Sequence, residues 1–236
     1  MEIKERTKGR LPEDAVQILG NTPILGNRAK TRIWGNRIPV RALLSMDPFE
    51  GVTAFTGEPG SGKTAGMVSA ALALHAQGWD VISNGLDLKC ETGSFATLEE
   101  LSQLIDEGQT RLNDGERART VVLLDEAPFF ANSRKWAEFP DQFFQKLQQV
   151  RKYNFLLLYS TINWLQVDVN LRRLTYWVWE CRREKFTNRF VRDLYPPEEE
   201  RIAGESPRYT VREWPRQGVF EAYDTHKFLH NPKDQV

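Results

Sequence analysis

The sequence predicts an α/β chain: a mostly parallel central sheet between two layers of helices, with a small β-hairpin added at the C-terminal end. Three observations predict it. Short apolar runs alternate with helix-forming runs through the middle of the chain, the pattern of a parallel α/β sheet. Two of these runs, Val121–Leu124 and Phe155–Tyr159, are apolar without alternation, which suits strands covered on both faces. Both stop abruptly on polar residues, Asp125-Glu126 and Ser160-Thr161, and in open α/β sheets ligands sit beyond the carboxyl ends of the strands.

The elements follow in order. Residues 1–50 are rich in Pro, Gly and Arg with weak periodicity and read as an N-terminal extension. Val52–Thr56 is β-branched and apolar and runs into a glycine loop. Thr64–Ala76 is Ala/Leu-rich and reads as a helix stopped near Gly78, followed by a strand over Trp79–Ser83. Thr97–Ile105 reads as a helix, with Thr97 and Glu100 at capping-box spacing. After the Val121–Leu124 strand, Pro140–Tyr153 reads as a helix, Phe155–Tyr159 as a strand, Val167–Leu174 as a short helix and Tyr176–Trp179 as a strand. Tyr209–Trp214 and Val219–Tyr223 flank Pro215–Gly218 and read as the hairpin. The main domain is expected over residues 51–236, with its β addition from about 205.

Composition sets the outer limits. The chain has 236 residues, with 32 Lys+Arg against 32 Asp+Glu. Zero net charge excludes a uniformly basic nucleic-acid coat but leaves room for local patches. Two cysteines, Cys90 and Cys181, make neither a disulfide framework nor a zinc quartet and read as free thiols in a reducing compartment. The charged start MEIKERTKGR is no secretory signal. Uncharged windows such as Ala65–Trp79 and Tyr153–Val167 run to about 15 residues, shorter than the ~20 apolar residues a spanning helix needs. A cytoplasmic chain with no membrane segment of its own is the expectation.

The sharpest signal is Gly57-Glu58-Pro59-Gly60-Ser61-Gly62-Lys63-Thr64, a complete G-x-x-x-x-G-K-[ST] phosphate loop between an apolar strand and a helix. Its glycines let successive N–H groups point at one phosphate, and the helix that follows adds its positive end. Lys63 is expected to reach the β- and γ-phosphates, and the Thr64 hydroxyl to bind Mg²⁺. About sixty residues later an apolar strand delivers Asp125 and Glu126. Asp125 is expected to hold Mg²⁺ through its water shell, and Glu126 to orient and deprotonate an attacking water. Thr161 and Asn163, at the end of the Phe155–Tyr159 run, are candidates to sense the γ-phosphate or the lytic water.

The loop, the strand ending Asp-Glu, the basic pair Arg151-Lys152 before the next strand and that strand's Ser/Thr end resemble the additional-strand class of P-loop ATPases. Within it, Gln148 through Arg173 resembles the HerA/FtsK group, which includes DNA-pumping motors, viral genome-packaging ATPases and zonula-occludens-toxin-like (Zot) phage assembly ATPases. The resemblance spans roughly residues 50–182. It implies a three-layer, RecA/FtsK-like P-loop NTPase fold, Mg²⁺-dependent ATP hydrolysis and a homo-oligomeric ring in which a neighbour's arginine completes the site. Arg151, Arg172 and Arg173 are the arginine candidates. Many relatives end the sensor strand in Gln, where this chain offers Thr161 and Asn163. Zot-like members usually carry a membrane-spanning helix after the ATPase domain; without one, the resemblance favours a packaging motor acting on DNA and capsid, with Zot-like assembly at a membrane as the alternative and a nucleotide-controlled scaffold as a third reading.

Two basic stretches would serve DNA contact. One lies within Asn27–Leu44 (Arg28, Lys30, Arg32, Arg37, Arg41); the other is Arg182–Arg192, where Arg182, Arg183, Lys185, Arg189 and Arg192 are interleaved with Phe186 and Phe190. Glu198–Glu200 offsets them. His226 and His230 lack a third ligand for a metal site, and Trp177 and Trp179 read as packing residues.

Overall fold

The computed structural model describes residues 30–32, 37–39, 51–116, 119–130, 141–197, 205–215 and 217–223. The acidic run 198–200 and the histidines at 226 and 230 lie outside these residues, as do most of the N-terminal extension and, of the first basic stretch, Arg28 and Arg41.

Ten strands and six α-helices are described. A separate antiparallel ribbon pairs β1 (Lys30–Arg32) with β2 (Arg37–Pro39). The main body runs β3 (Val52–Thr56), α1 (Lys63–His75), β4 (Asp80–Ser83), β5 (Gly93–Ser94), α2 (Leu98–Asn113), β6 (Thr120–Leu124), α3 (Ala127–Phe130), α4 (Asp141–Gln149), β7 (Phe155–Thr161), α5 (Val169–Leu174), β8 (Thr175–Arg183), β9 (Phe190–Tyr195), β10 (Tyr209–Glu213) and α6 (Gln217–Phe220). Eight strands form one sheet in the order β10-β9-β8-β3-β7-β6-β4-β5. From β8 to β5 every pairing is parallel, while β9 and β10 add antiparallel strands. β7 lies between β3 and β6, so the strand ending in Ser160 separates the phosphate loop from the Asp-Glu strand.

The uninterrupted apolar runs are explained by the two cores they feed. On β6, Val122 and Leu124 face one cluster and Val121 and Leu123 the other; on β7, Phe155, Leu157 and Tyr159 alternate in the same way with Leu156 and Leu158. The first cluster is closed by α2, α4 and α5 through Leu101, Ile105, Leu147 and Leu171. The second is closed by α1 and α6 through Met67, Val68, Ala71, Leu74 and Val219. Burial of both faces removes the polar alternation that a half-exposed strand would show.

Local signals held where the capping chemistry was explicit. Thr97 caps α2, its hydroxyl accepting from the Glu100 N–H at 3.2 Å, while the Glu100 carboxylate reaches back to the Ala96 N–H at 2.6 Å. The helix runs on to Asn113, eight residues past Ile105. The C-terminal end differs from expectation. The β addition is present as the antiparallel strands β9 and β10. Val219–Tyr223 is not a strand: Gln217–Phe220 is a helical turn, and Val219 and Ala222 are buried against the α1 side of the core. Val219 and Ala222 lie three apart, which is helical spacing rather than the period of two of a strand. Trp179 does pack, stacked 6.4 Å from Phe55.

Candidate functional site

β3 ends at Thr56 and the chain turns through Gly57–Gly62 into α1. Glu58, Pro59 and Gly60 are exposed and Ser61 is buried. Gly62 occupies the N-cap with φ +90° and gives no side-chain cap, so the first-turn N–H groups of α1 remain available to an anion. Two glycines are required sterically as well as conformationally. A Cβ on Gly57 would stand 2.2 Å from the Cys181 carbonyl oxygen of β8, and one on Gly62 would stand 2.7 Å from the Phe190 ring of β9. Gly62→Ala therefore meets both a left-handed backbone and the buried Phe190. We expect it to cost about 2 kcal/mol or more, read as a lower urea midpoint, with loss of phosphate binding measured on the folded fraction.

Lys63 is buried, and its Nζ donates to the carbonyls of Gly57 (2.9 Å) and Glu58 (3.1 Å). Burial lowers its pKa, opposed by the negative charges of Asp125 and Glu126. The Thr64 hydroxyl sits 3.1 Å from both carboxylate oxygens of Asp125. The loop and the acidic pair, 61 residues apart in sequence, thus form one site.

Two residues not singled out as site residues hold the acidic pair. Ser160 Oγ donates to Asp125 Oδ1 at 2.6 Å and accepts from the Glu126 N–H at 2.8 Å. Asn84, just past β4, makes a reciprocal pair: its Oδ1 accepts from the Asp125 N–H (2.8 Å) and its Nδ2 donates to the Asp125 carbonyl (3.0 Å). Their signal was positional. β4 and β7 flank β6, so a polar residue ending either strand meets the residues that end β6. Glu126 itself has φ +51°, a left-handed conformation uncommon for a non-glycine residue. Its carboxyl pKa is raised, by burial first and then by Asp125.

Asp125 is 8% exposed, and among the described residues no ion pair neutralises it. Burial raises its pKa, against the hydrogen bonds from Ser160 and Thr64 and the Lys63 charge. A buried carboxylate beside a hydroxyl, with no cage of three or more His, Cys, Asp or Glu among the described residues, fits Mg²⁺, which takes one or two protein oxygens and completes its shell with water and phosphate. The sign of the stability effect follows. A carboxyl whose folded pKa is raised stabilises below its ordinary value of 3.8, and that contribution is lost as pH rises through the folded value. Asp125→Asn should therefore melt higher than the parent at neutral pH without metal, by about 2–4 °C for each kcal/mol regained. The difference should shrink toward acid pH, and the gain from added Mg²⁺ should disappear.

The remaining candidates fall elsewhere. Thr161 Oγ1 donates to the Asn163 carbonyl at 2.9 Å, and Asn163 Oδ1 caps the following turn at the Leu165 N–H, also at 2.9 Å. Neither contacts Asp125, whereas Ser160 does; Asn163 lines a cleft beside the loop. Arg151 lies in the turn Val150–Tyr153 before β7, and Arg172 and Arg173 in α5 before β8. These are the amino ends of the strands, away from the loop at the carboxyl end of β3. No candidate arginine is at its own chain's phosphate loop.

The basic stretch Arg182–Arg192 is not a continuous positive surface. Arg182 pairs with Asp193 and the buried Arg192 with Glu213. Phe190 is buried and Phe186 fully exposed. Both cysteines are free thiols, with burial pushing Cys90 to about 11 and Cys181 to about 12.

Among curated proteins no sequence matches the chain. Of solved structures, the N-terminal domain of zonular occludens toxin from Neisseria meningitidis is similar at TM-score 0.53 and 18% identity, over 75% of this chain and 100% of that one. The genome packaging NTPase B204 from Sulfolobus turreted icosahedral virus 2, in complex with ATP-gammaS, gives TM-score 0.47 and 11% identity over 72% and 100%. The pCW3 conjugation coupling protein TcpA gives 0.44 and 13% over 78% and 63%. The first shares the fold of this mostly parallel sheet. The zonular occludens toxin (Zot) family model matches residues 51–225, from the start of β3 through the C-terminal β addition, and the chain belongs to that family.

Proposed function

We propose that the chain is a Mg²⁺-dependent ATP hydrolase of the Zot type, whose turnover drives phage assembly or secretion through a membrane-associated partner. The observation that carries this reading is the convergence of Thr64, Asp125 and Glu126 at one end of the sheet. In this reading the first-turn N–H groups of α1 and the Lys63 ammonium hold the β- and γ-phosphates. Glu126, its pKa raised by burial and by Asp125, takes a proton from the attacking water as the water's oxygen bonds to γ-phosphorus and the bond to the β,γ-bridging oxygen breaks, leaving ADP and phosphate. Thr64 and Asp125 would hold Mg²⁺, which when bound offsets the phosphate charge. Ser160 and Asn84 keep the Asp125–Glu126 backbone in register with the loop.

The family match favours this over viral genome packaging, the first expectation from the sequence. The pairing of Arg182 and Arg192 also weakens the DNA-contact argument. No described helix is long and apolar enough to cross a membrane. ATPase assays with and without double-stranded DNA separate the readings. A Zot-type enzyme should hydrolyse ATP in Mg²⁺, lose activity in EDTA and keep its rate within about twofold when DNA is added, below the tenfold that 1.4 kcal/mol represents. Strong stimulation by DNA would restore the packaging reading.

A further inference from the structure

We infer that the nucleoside of the bound nucleotide lies in the cleft on the β8 side of the phosphate loop, its base stacked on Arg183 and facing Glu180. This rests on the nucleotide reading above. β3 has two neighbours in the sheet, β7 and β8. Ser160, Asp125 and Glu126 all lie on the β7 side. A nucleoside triphosphate is a linear chain, so with its terminal phosphate turned toward Glu126 its nucleoside points away from Glu126, across the outer face of the loop. There a cleft of about 800 Å³ meets the outer face of the loop, walled by residues 162–164 after β7 and 180–183 at the end of β8. Its size matches a small-molecule site.

The walls carry the chemistry of base recognition. The Arg183 guanidinium lies 5.8 Å from the Phe190 ring centroid. The cation is thus held over an aromatic ring at an exposed strand end, where its planar group can stack on a base. Arg182 does not offer the same group, because Asp193 holds it in an ion pair. Ile162, 43% exposed, supplies an apolar contact. Glu180 lines the cleft, and an ionised carboxylate only accepts hydrogen bonds. It therefore matches the exocyclic amine of adenine and opposes the carbonyl oxygen that guanine carries at that position. Two members of the presumed DNA-binding stretch, Arg182 and Arg183, thus belong to a small-molecule cleft.

The test is calorimetric titration of the whole chain with Mg²⁺-ATP, Mg²⁺-GTP and Mg²⁺-tripolyphosphate, which shares the phosphates and lacks the nucleoside. ATP is expected to bind roughly tenfold or more tighter than tripolyphosphate, the scale of one stacked base, and tighter than GTP. Arg183→Ala, at an exposed strand end, should lower ATP affinity to the tripolyphosphate level and leave tripolyphosphate binding as in the parent. Glu180→Gln should narrow the ATP/GTP ratio. Equal affinity for ATP and tripolyphosphate in the parent, or equal loss of both in Arg183→Ala, would overturn the nucleoside site while leaving the phosphate-loop reading standing. An unchanged ATP/GTP ratio in Glu180→Gln would overturn the adenine assignment. Failure of both ATP and tripolyphosphate to bind would overturn the nucleotide reading and this inference together.

Discussion

Glu126→Gln is expected to slow ATP hydrolysis by about 10³-fold, within the range of a positioned general base, while ATP stays bound. The substitution keeps the shape of the side chain and removes its ability to take a proton. It leaves untouched the contacts that fix the backbone, since the Glu126 N–H bonds to Ser160 and the Glu126 carbonyl accepts from the Phe129 N–H. The phosphate loop, Lys63 and Thr64 are likewise unchanged, so affinity for Mg²⁺-ATP should hold or rise. Single-turnover assays and retained nucleotide after gel filtration read the two effects separately. The pH profile supplies a further check. Burial and the neighbouring Asp125 raise the Glu126 pKa, so the acid limb of the parent's rate should lie above the ordinary carboxylate range, and the variant's residual rate should lack that limb. A scaffold that binds nucleotide without turning it over would show no difference between parent and variant, and that result would remove the enzymatic reading.

What the sequence disclosed divides along a physical line. Gly57–Thr64 was legible because the phosphate-binding backbone demands a fixed spacing of glycines, one Lys and one Thr within eight residues. Asp125 and Glu126 were legible because an apolar strand buried on both faces ends on them. Thr97 announced its helix through a local hydrogen bond. Ser160 and Asn84 are different. Each is an ordinary polar residue at or just past the carboxyl end of a strand, and its role exists only because the order β7-β6-β4 sets the two strands on either side of Asp125. Strand order is non-local, so nothing near Asn84 in the chain marks it. The same holds for Arg192. Among the positive residues of 182–192 it reads as surface, yet β9 turns it inward, where Glu213 of the neighbouring strand receives it. The misread hairpin has a local cause: the short apolar stretch 219–223 fits a strand or a helical turn, and only burial of Val219 and Ala222 on one side decides between them.

Lys63→Ala is expected to weaken Mg²⁺-ATP binding by about 10²-fold or more, since charge-assisted hydrogen bonds are roughly twice as strong as neutral ones and this ammonium is the loop's only cation. Fold stability should change little. The ammonium donates to two carbonyls, those of Gly57 and Glu58, but it is carried at a desolvation cost that lowers its pKa. The substitution loses the first and regains the second. The sign of the pH effect distinguishes this balance from a simple loss of contacts. A lysine whose folded pKa is lowered makes stability rise with pH between that folded value and its ordinary 10.5, because the unfolded chain holds the proton more tightly across that window. The parent should gain stability through the alkaline range and Lys63→Ala should lack that part of the gain. Urea midpoints measured at neutral and alkaline pH, beside calorimetric titration with Mg²⁺-ATP, read both. A variant that bound ATP as the parent does would mean that the first-turn N–H groups of α1 hold the phosphates alone, and that Lys63 serves the loop's own closure rather than its ligand.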